Sequence, residues 1–180
     1  MQKPAPFRSS PIKRMSVQQI LDLDSIDRTQ IAVDRATLDE YLAQRGTFAV
    51  LDHLAHVDKE AGIAVGVKAI RSDDWWAQDH IPGRPMFPGA LMIETAAQIA
   101  SFDYSKHRVE GDDERFVGFG GVEDCRFRGV VEPPCTMFLA VRLERAGSRM
   151  FKYSAEGYVE REGVLQPKRV FEATVMGVLL

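Results

Sequence analysis

Apolar positions recur along this chain with two different periods, and the change of period organises it. Near the N-terminus, Ser16-Val17-Gln18-Gln19 has the spacing of a capping box and predicts a short helix ending near Leu23. A second helix is expected after Asp34, running through Leu38, Tyr41 and Leu42 and stopping at Gly46. From Thr47 the period becomes two, and Phe48 to His53 and Gly62 to Ile70 read as strands. The only long helical pattern covers about Ala90 to Ser105, where Leu91, Ile93, Ala96, Ala97 and Ala100 leave little room for a solvated face. The charged link from Lys106 to Arg115 reads as a surface loop. Beyond it, Met137, Leu139, Val141 and Leu143 share one face, as do Phe151, Tyr153, Ala155 and Val159, and then Phe171, Ala173 and Val175. The turns between these runs, Ala146-Gly147-Ser148 and Glu162-Gly163, are short and contain glycine, so consecutive strands are antiparallel. One enclosed helix and an antiparallel sheet with a single apolar face combine economically when the sheet curls around the helix. The expected fold class is therefore α+β. Residues 1–46 form an N-terminal arm with short helices, the first 15 or so contributing little core, and residues 47–180 form the main domain.

Composition narrows the function classes. A chain of 180 residues with 45% hydrophobic and 27% charged residues is an ordinary globular domain with a sizeable core. A net charge of −3 argues against a dedicated nucleic-acid binder. No apolar run approaches the roughly 18 residues that suggest a membrane span, and the basic N-terminus lacks the apolar stretch of a secretory signal. Cys125 and Cys135 read as reduced thiols of a cytoplasmic protein. No residue cluster calls for a metal or another cofactor, and His53 and His56 read as structural.

The candidate chemistry lies in "HIPGRPMFPG", His80 to Gly89. Its three prolines stiffen an irregular loop that presents one imidazole. Gly89 falls at the start of the buried helix, where free N–H groups and the helix dipole can receive a substrate oxygen. Glu94 is the only acidic residue between Asp79 and Asp103, inside the most apolar helix. A carboxyl in such a setting holds its proton more tightly, which suits a general acid, while a histidine serves as base. Gln98, four residues on, is placed to hold that carboxyl. Each feature alone is commonplace, but together His80, Gly89 and Glu94 point to catalysis. Trp75 and Trp76 are expected to pack beside the site, with a secondary reading as lining for an acyl tunnel.

The segment "HIPGRPMFPGALMIETAAQ", His80 to Gln98, resembles the signature of the β-hydroxyacyl-acyl-carrier-protein dehydratases of the FabZ type. There, a His-Phe-Pro-Gly-x-Pro-x-x-Pro-Gly stretch leads into a helix carrying Glu-x-x-x-Gln. Weaker likeness extends through "FAVLDHL", "WWAQDH", "DCRFRGVVEPP" and "VFEATVMGV". The resemblance implies a hot-dog fold and a homodimer whose sites combine histidine from one protomer with glutamate from the other, with further assembly into hexamers in some relatives. It implies reversible dehydration of a (3R)-3-hydroxyacyl thioester on acyl carrier protein to the trans-2-enoyl thioester, without a cofactor. His80 would remove the α-proton, Glu94 would help expel the hydroxyl, and the Gly89 N–H would bind the thioester oxygen. Phe87, Gln98 and Trp76 would line the substrate. Glu94 stands where dehydratase-isomerases typically carry aspartate, which implies dehydration alone. The chain departs from the pattern at Phe87, where methionine is commoner, at Glu132-Pro133-Pro134-Cys135, and in its long N-terminal region. A hot-dog thioesterase and a non-catalytic acyl-thioester binding module are the competing expectations. Because acyl carrier protein is acidic, Arg126, Arg128, Lys168 and Arg169 are candidates for a basic docking patch.

Overall fold

The computed structural model describes residues 19–109 and 116–180. Its longest element is the helix expected behind the histidine segment, α3 (Gly89–His107), a short α1 (Arg35–Tyr41) and α2 (Trp75–Asp79) preceding it. Along α3, Met92, Ala96, Ile99, Ala100 and Phe102 are all buried. A helix apolar on nearly every side must be enclosed, and here the enclosure is one antiparallel sheet. Its strands are β1 (His53–Asp58), β2 (Ile63–Ile70), β3 (Val117–Phe127), β4 (Cys135–Ala146), β5 (Met150–Arg161), β6 (Val164–Leu165) and β7 (Phe171–Leu179). They lie in the order β1-β2-β4-β5-β7-β3, with the short β6 beside β5. Met137, Leu139 and Val141 of β4, Tyr153 of β5, and Phe171 and Val175 of β7 join the α3 side chains in one core. This is the hot-dog arrangement that the resemblance implies. Gly66 permits the contact between helix and sheet, since a Cβ there would fall 2.4 Å from Ile99 Cδ1.

The expected turns are present where the alternation breaks. Glu162 and Gly163 both have positive φ, 51° and 78°, as the mirror-image turns that match strand twist require. Between β4 and β5, Gly147 N–H donates to Met150 O at 2.9 Å.

The sheet departs from expectation in having apolar residues on both faces. Val65, Val67, Phe138, Ala140 and Tyr158 point away from α3 and are buried by Ile20, Leu23 and their neighbours in the N-terminal segment. A polar clamp fixes this cover: Ile20 N–H donates to Glu156 Oε2 at 3.1 Å, and Arg28 reaches Glu160 at 3.1 Å and Leu23 O at 2.9 Å. Further along, Ala32 and Val33 N–H both donate to Leu54 O, at 2.9 and 3.2 Å, which occupies the outer edge of β1. Residues 1–18, including most of the expected capping box, and residues 110–115 of the charged link lie outside the described residues.

Local boundaries shifted for identifiable reasons. Leu23–Ser25 forms a 3-10 turn capped by Asp22 rather than the end of an α-helix. In α1, Asp34 caps Thr37 N–H at 2.8 Å as expected, but the helix ends at Tyr41 instead of Gly46. Leu42 is already extended there, and the Arg45 guanidinium takes up the carbonyls of Asp39 and Leu42, at 2.7 and 2.5 Å. The strand expected from Phe48 begins only at His53. Phe48 O and Leu51 N–H bond instead to the Gln98 side chain, at 2.7 and 3.3 Å, so these backbone groups are spent on a helix side chain rather than on a strand ladder.

Candidate active site

The loop that presents His80 is held at each end and in its middle. His80 caps α2, with its N–H on Trp76 O at 2.9 Å, and Gly83 takes φ +80° in the turn that follows. Phe87 N–H then donates to Val131 O at 2.7 Å, which ties the loop to the stretch leading into β4. Phe87 is itself buried, edge-on to Trp76 with ring centroids 5.3 Å apart. Trp76 and Phe87 thus pack on one another behind the loop, whereas Trp75 is half exposed.

The His80 Nδ1 lies 3.0 Å from Met86 O. A carbonyl only accepts, so Nδ1 is the donor, and in the neutral imidazole the lone pair is then on Nε2. Pro88 starts α3 and accepts from Leu91 and Met92 N–H. Gly89 and Ala90 are the first helical residues, whose N–H groups have no acceptor within the helix. His80, Met86, Phe87, Gly89 and Phe127 line a common cavity of about 360 Å³. The half-exposed Phe127 ring covers Gly89 so closely that a Cβ there would sit 2.6 Å from Cζ.

Glu94 opens elsewhere. It lines a narrow cavity of about 40 Å³ with Gln44, Ala97, Ser101, Val117 and Phe119. Its Oε1 accepts from Gln98 Nε2 at 2.7 Å, the bond that the i, i+4 spacing predicts, and from Gln44 Nε2 at 3.3 Å. Gln98 is fully buried and spends its whole amide on Glu94, Phe48 O and Leu51 N–H. It is therefore a fixed support for the carboxyl rather than an open wall of a substrate channel. Neither of these two cavities contains both His80 and Glu94: among the described residues, the pair opens into separate spaces. Gln44 and Phe127 join the site with no local sequence signal, because their contacts cross from distant elements.

The expected basic patch is largely internally paired. Arg128 bonds to Glu172, Arg169 lies 3.2 Å from Glu172 and also pairs with Glu156, and Arg126 is 3.8 Å from Glu172, while Lys168 is exposed. The Arg128 hydrogen bond, with the charges of Arg169, Arg128 and Arg126, holds the Glu172 carboxyl below the usual range against the effect of burial. Burial pushes both the Cys125 and Cys135 thiols up, so neither is poised as a thiolate nucleophile. His53 and His56 lie on β1, separated by a bulge, and among the described residues no group of histidine, cysteine and carboxylate side chains is placed to hold a metal.

The model of the FabA-like domain matches residues 42–168. The chain belongs to the FabA-like family. Among its curated relatives, a protein of Paramagnetospirillum magneticum named 3-hydroxyacyl-[acyl-carrier-protein] dehydratase FabZ is 31% identical over 80% of this chain and 88% of its own length. A protein of the same name from Albidiferax ferrireducens is 32% identical over 72% of this chain and 90% of its own. Among solved structures, the dehydratase heterocomplex ApeI:P from Xenorhabdus doucetiae superposes with a TM-score of 0.61 at 14% identity, covering 79% of this chain and 90% of that one. The HP0420 homologue from Helicobacter felis gives 0.55 at 10% identity, over 78% and 85%. Both share the fold of this FabA-like chain. The family match begins at Leu42, so residues 19–41, with the cover over the outer sheet face, lie before it.

Proposed function

We propose that this FabA-like protein catalyses the reversible dehydration of (3R)-3-hydroxyacyl-[acyl-carrier-protein] to trans-2-enoyl-[acyl-carrier-protein] in fatty acid biosynthesis, in the cytoplasm and without a cofactor. The observation that carries this reading is the shared cavity of His80 and Gly89, with the imidazole held by Met86 O so that Nε2 is the free base. Nε2 removes the α-proton of the thioester. Negative charge then develops on the thioester oxygen, where the Gly89 N–H at the start of α3 stabilises it. The bond from the β-carbon to the hydroxyl breaks as Glu94 gives its proton to the departing oxygen. Water and the trans-2-enoyl thioester result, and the proton on His80 returns to the Glu94 carboxylate through solvent. Phe87 lines the cavity and shapes its acyl side, while Trp76, which borders a different cavity, supports Phe87 and the loop from behind.

The separation of His80 and Glu94 into different cavities supports a homodimer in which each site takes one residue from either protomer. Strand β3 supports the same arrangement. It forms one end of the sheet, and its Phe119, Val122 and Phe127 are exposed. An open edge carrying exposed apolar side chains is an unstable arrangement for a lone protomer. Docking of two β3 edges would cover both and bring two copies of α3 near each other.

The test is product analysis with 3-hydroxyacyl-carrier substrates of several chain lengths. Enoyl product is expected, with a loss of at least about 100-fold in kcat for His80→Ala and for Glu94→Gln. Turnover unchanged in both variants overturns the assignment. Release of free carrier thiol without enoyl product would point to a thioesterase, and saturable binding without turnover to a binding module.

A further inference from the structure

The Glu94 carboxyl is gripped from a second side, by a residue outside α3. Gln44 Nε2 stands 3.3 Å from the same Oε1 that receives Gln98 Nε2 at 2.7 Å. We propose that Gln44 is a positioning residue for Glu94: its amide fixes the plane of the carboxyl and leaves Oε2 as the oxygen that exchanges a proton with substrate. This rests on the dehydratase reading of Glu94.

A single hydrogen bond fixes one carboxyl oxygen but leaves the terminal torsion broad. A second donor arriving from another element removes that freedom. Gln44 is equipped for this because its own backbone is immobilised: Arg45 donates to Gln44 O at 2.9 Å, to Leu42 O at 2.5 Å and to Asp39 O at 2.7 Å. The chemistry of the donor also fits the task. A carboxylate oxygen only accepts, so the amide turns its nitrogen towards Glu94. An arginine or lysine in this place would trap the ionised carboxylate in an ion pair, whereas an uncharged amide donates to Oε1 in both protonation states. Among the described residues, no ionisable side chain besides Glu94 lines the cavity that these two residues share.

Gln44 also borders a neighbouring groove of about 320 Å³ between α1 and the second half of α3. A truncation would join the two spaces, so the test uses side chains of similar reach. Gln44→Met keeps the volume and removes the donor; Gln44→His restores an N–H. In the carrier-substrate assay, Gln44→Met is expected to lower kcat about tenfold with KM little changed, and Gln44→His to recover most of that loss. Carbon-13 titration of the Glu94 carboxyl, its signal identified by its loss in Glu94→Gln, is expected to show an upward-shifted midpoint in Gln44→Met and a smaller shift in Gln44→His. A wild-type midpoint in Gln44→Met overturns the proposal. So does an equal loss of kcat in both variants that follows their thermal midpoints, since that would be a structural role alone. If the wild-type protein proves unable to dehydrate any substrate, the dehydratase reading fails while the titration still decides the Gln44 contact.

Discussion

His80 owes its proposed role to an acceptor six residues ahead of it. The Met86 carbonyl selects the tautomer, and the prolines around it keep that carbonyl in place with little entropy to lose. Glycine is needed next door for a different reason. Replacing Gly89 with alanine puts a Cβ 2.6 Å from the tip of Phe127, a half-exposed ring that can swing away. The expected result is a thermal midpoint close to wild type with kcat/KM lowered by about tenfold or more, because the displaced ring lines the His80 cavity. Gly66→Ala makes the complementary case. There the new Cβ meets Ile99 and Leu51 in the closed core, and a loss of about 1 to 3 kcal/mol in urea unfolding is expected, with substrate affinity changed little among the molecules that remain folded.

Among the elements, the N-terminal segment differs most from its sequence appearance. The strand alternation suggests a sheet with a single apolar face, yet from Ile20 onward the chain completes a second hydrophobic core on the outer face of that sheet. Leu23 is fully buried within it. Leu23→Ala should therefore cost about 2 to 5 kcal/mol, as for a residue of the main core, measured by the shift of the urea midpoint. A near-neutral result would mean that the segment lies on the sheet without stabilising it. Helix α3, by contrast, was legible almost to its ends, since enclosure on all sides leaves an unmistakable run of apolar residues with a charged stop. The strand expected at Phe48 was misplaced because a side chain, Gln98, competes for its backbone groups. No local pattern in residues 48–53 reveals a partner on a helix some 50 residues later.

For the molecule as a whole, the proposed homodimer makes activity and assembly inseparable. Phe119→Lys on the exposed side of β3 is expected to shift the protein towards monomer in light scattering after size-exclusion chromatography and to abolish turnover in parallel. Full activity from a monomer would rule out the shared site. Acid stability should follow Glu172. The Arg128 hydrogen bond depresses its folded-state pKa below the ordinary value of 4.5, so the folded protein binds fewer protons than the unfolded chain just below that pH. The stability it contributes is present above pH 4.5 and is lost as the pH falls through the lower folded-state value. Urea midpoints of the wild type should drop in that window, and Glu172→Gln, already less stable at neutral pH, should drop less.

The sequence by itself determined the enclosed helix, the antiparallel strands around it, and the stiff segment from His80 to Gly89 with Glu94 and Gln98 behind it. These features are local: periodicity, proline geometry and i, i+4 spacing depend on residues within a few positions of one another. Tertiary structure alone decided that Gln44 reaches Glu94, that Phe127 covers Gly89, that the arginines of the expected patch converge on Glu172, and that the two proposed catalytic residues open into separate cavities. Each of these depends on where the sheet carries distant residues in space, and the energy of such a contact leaves no periodic mark on the chain that makes it.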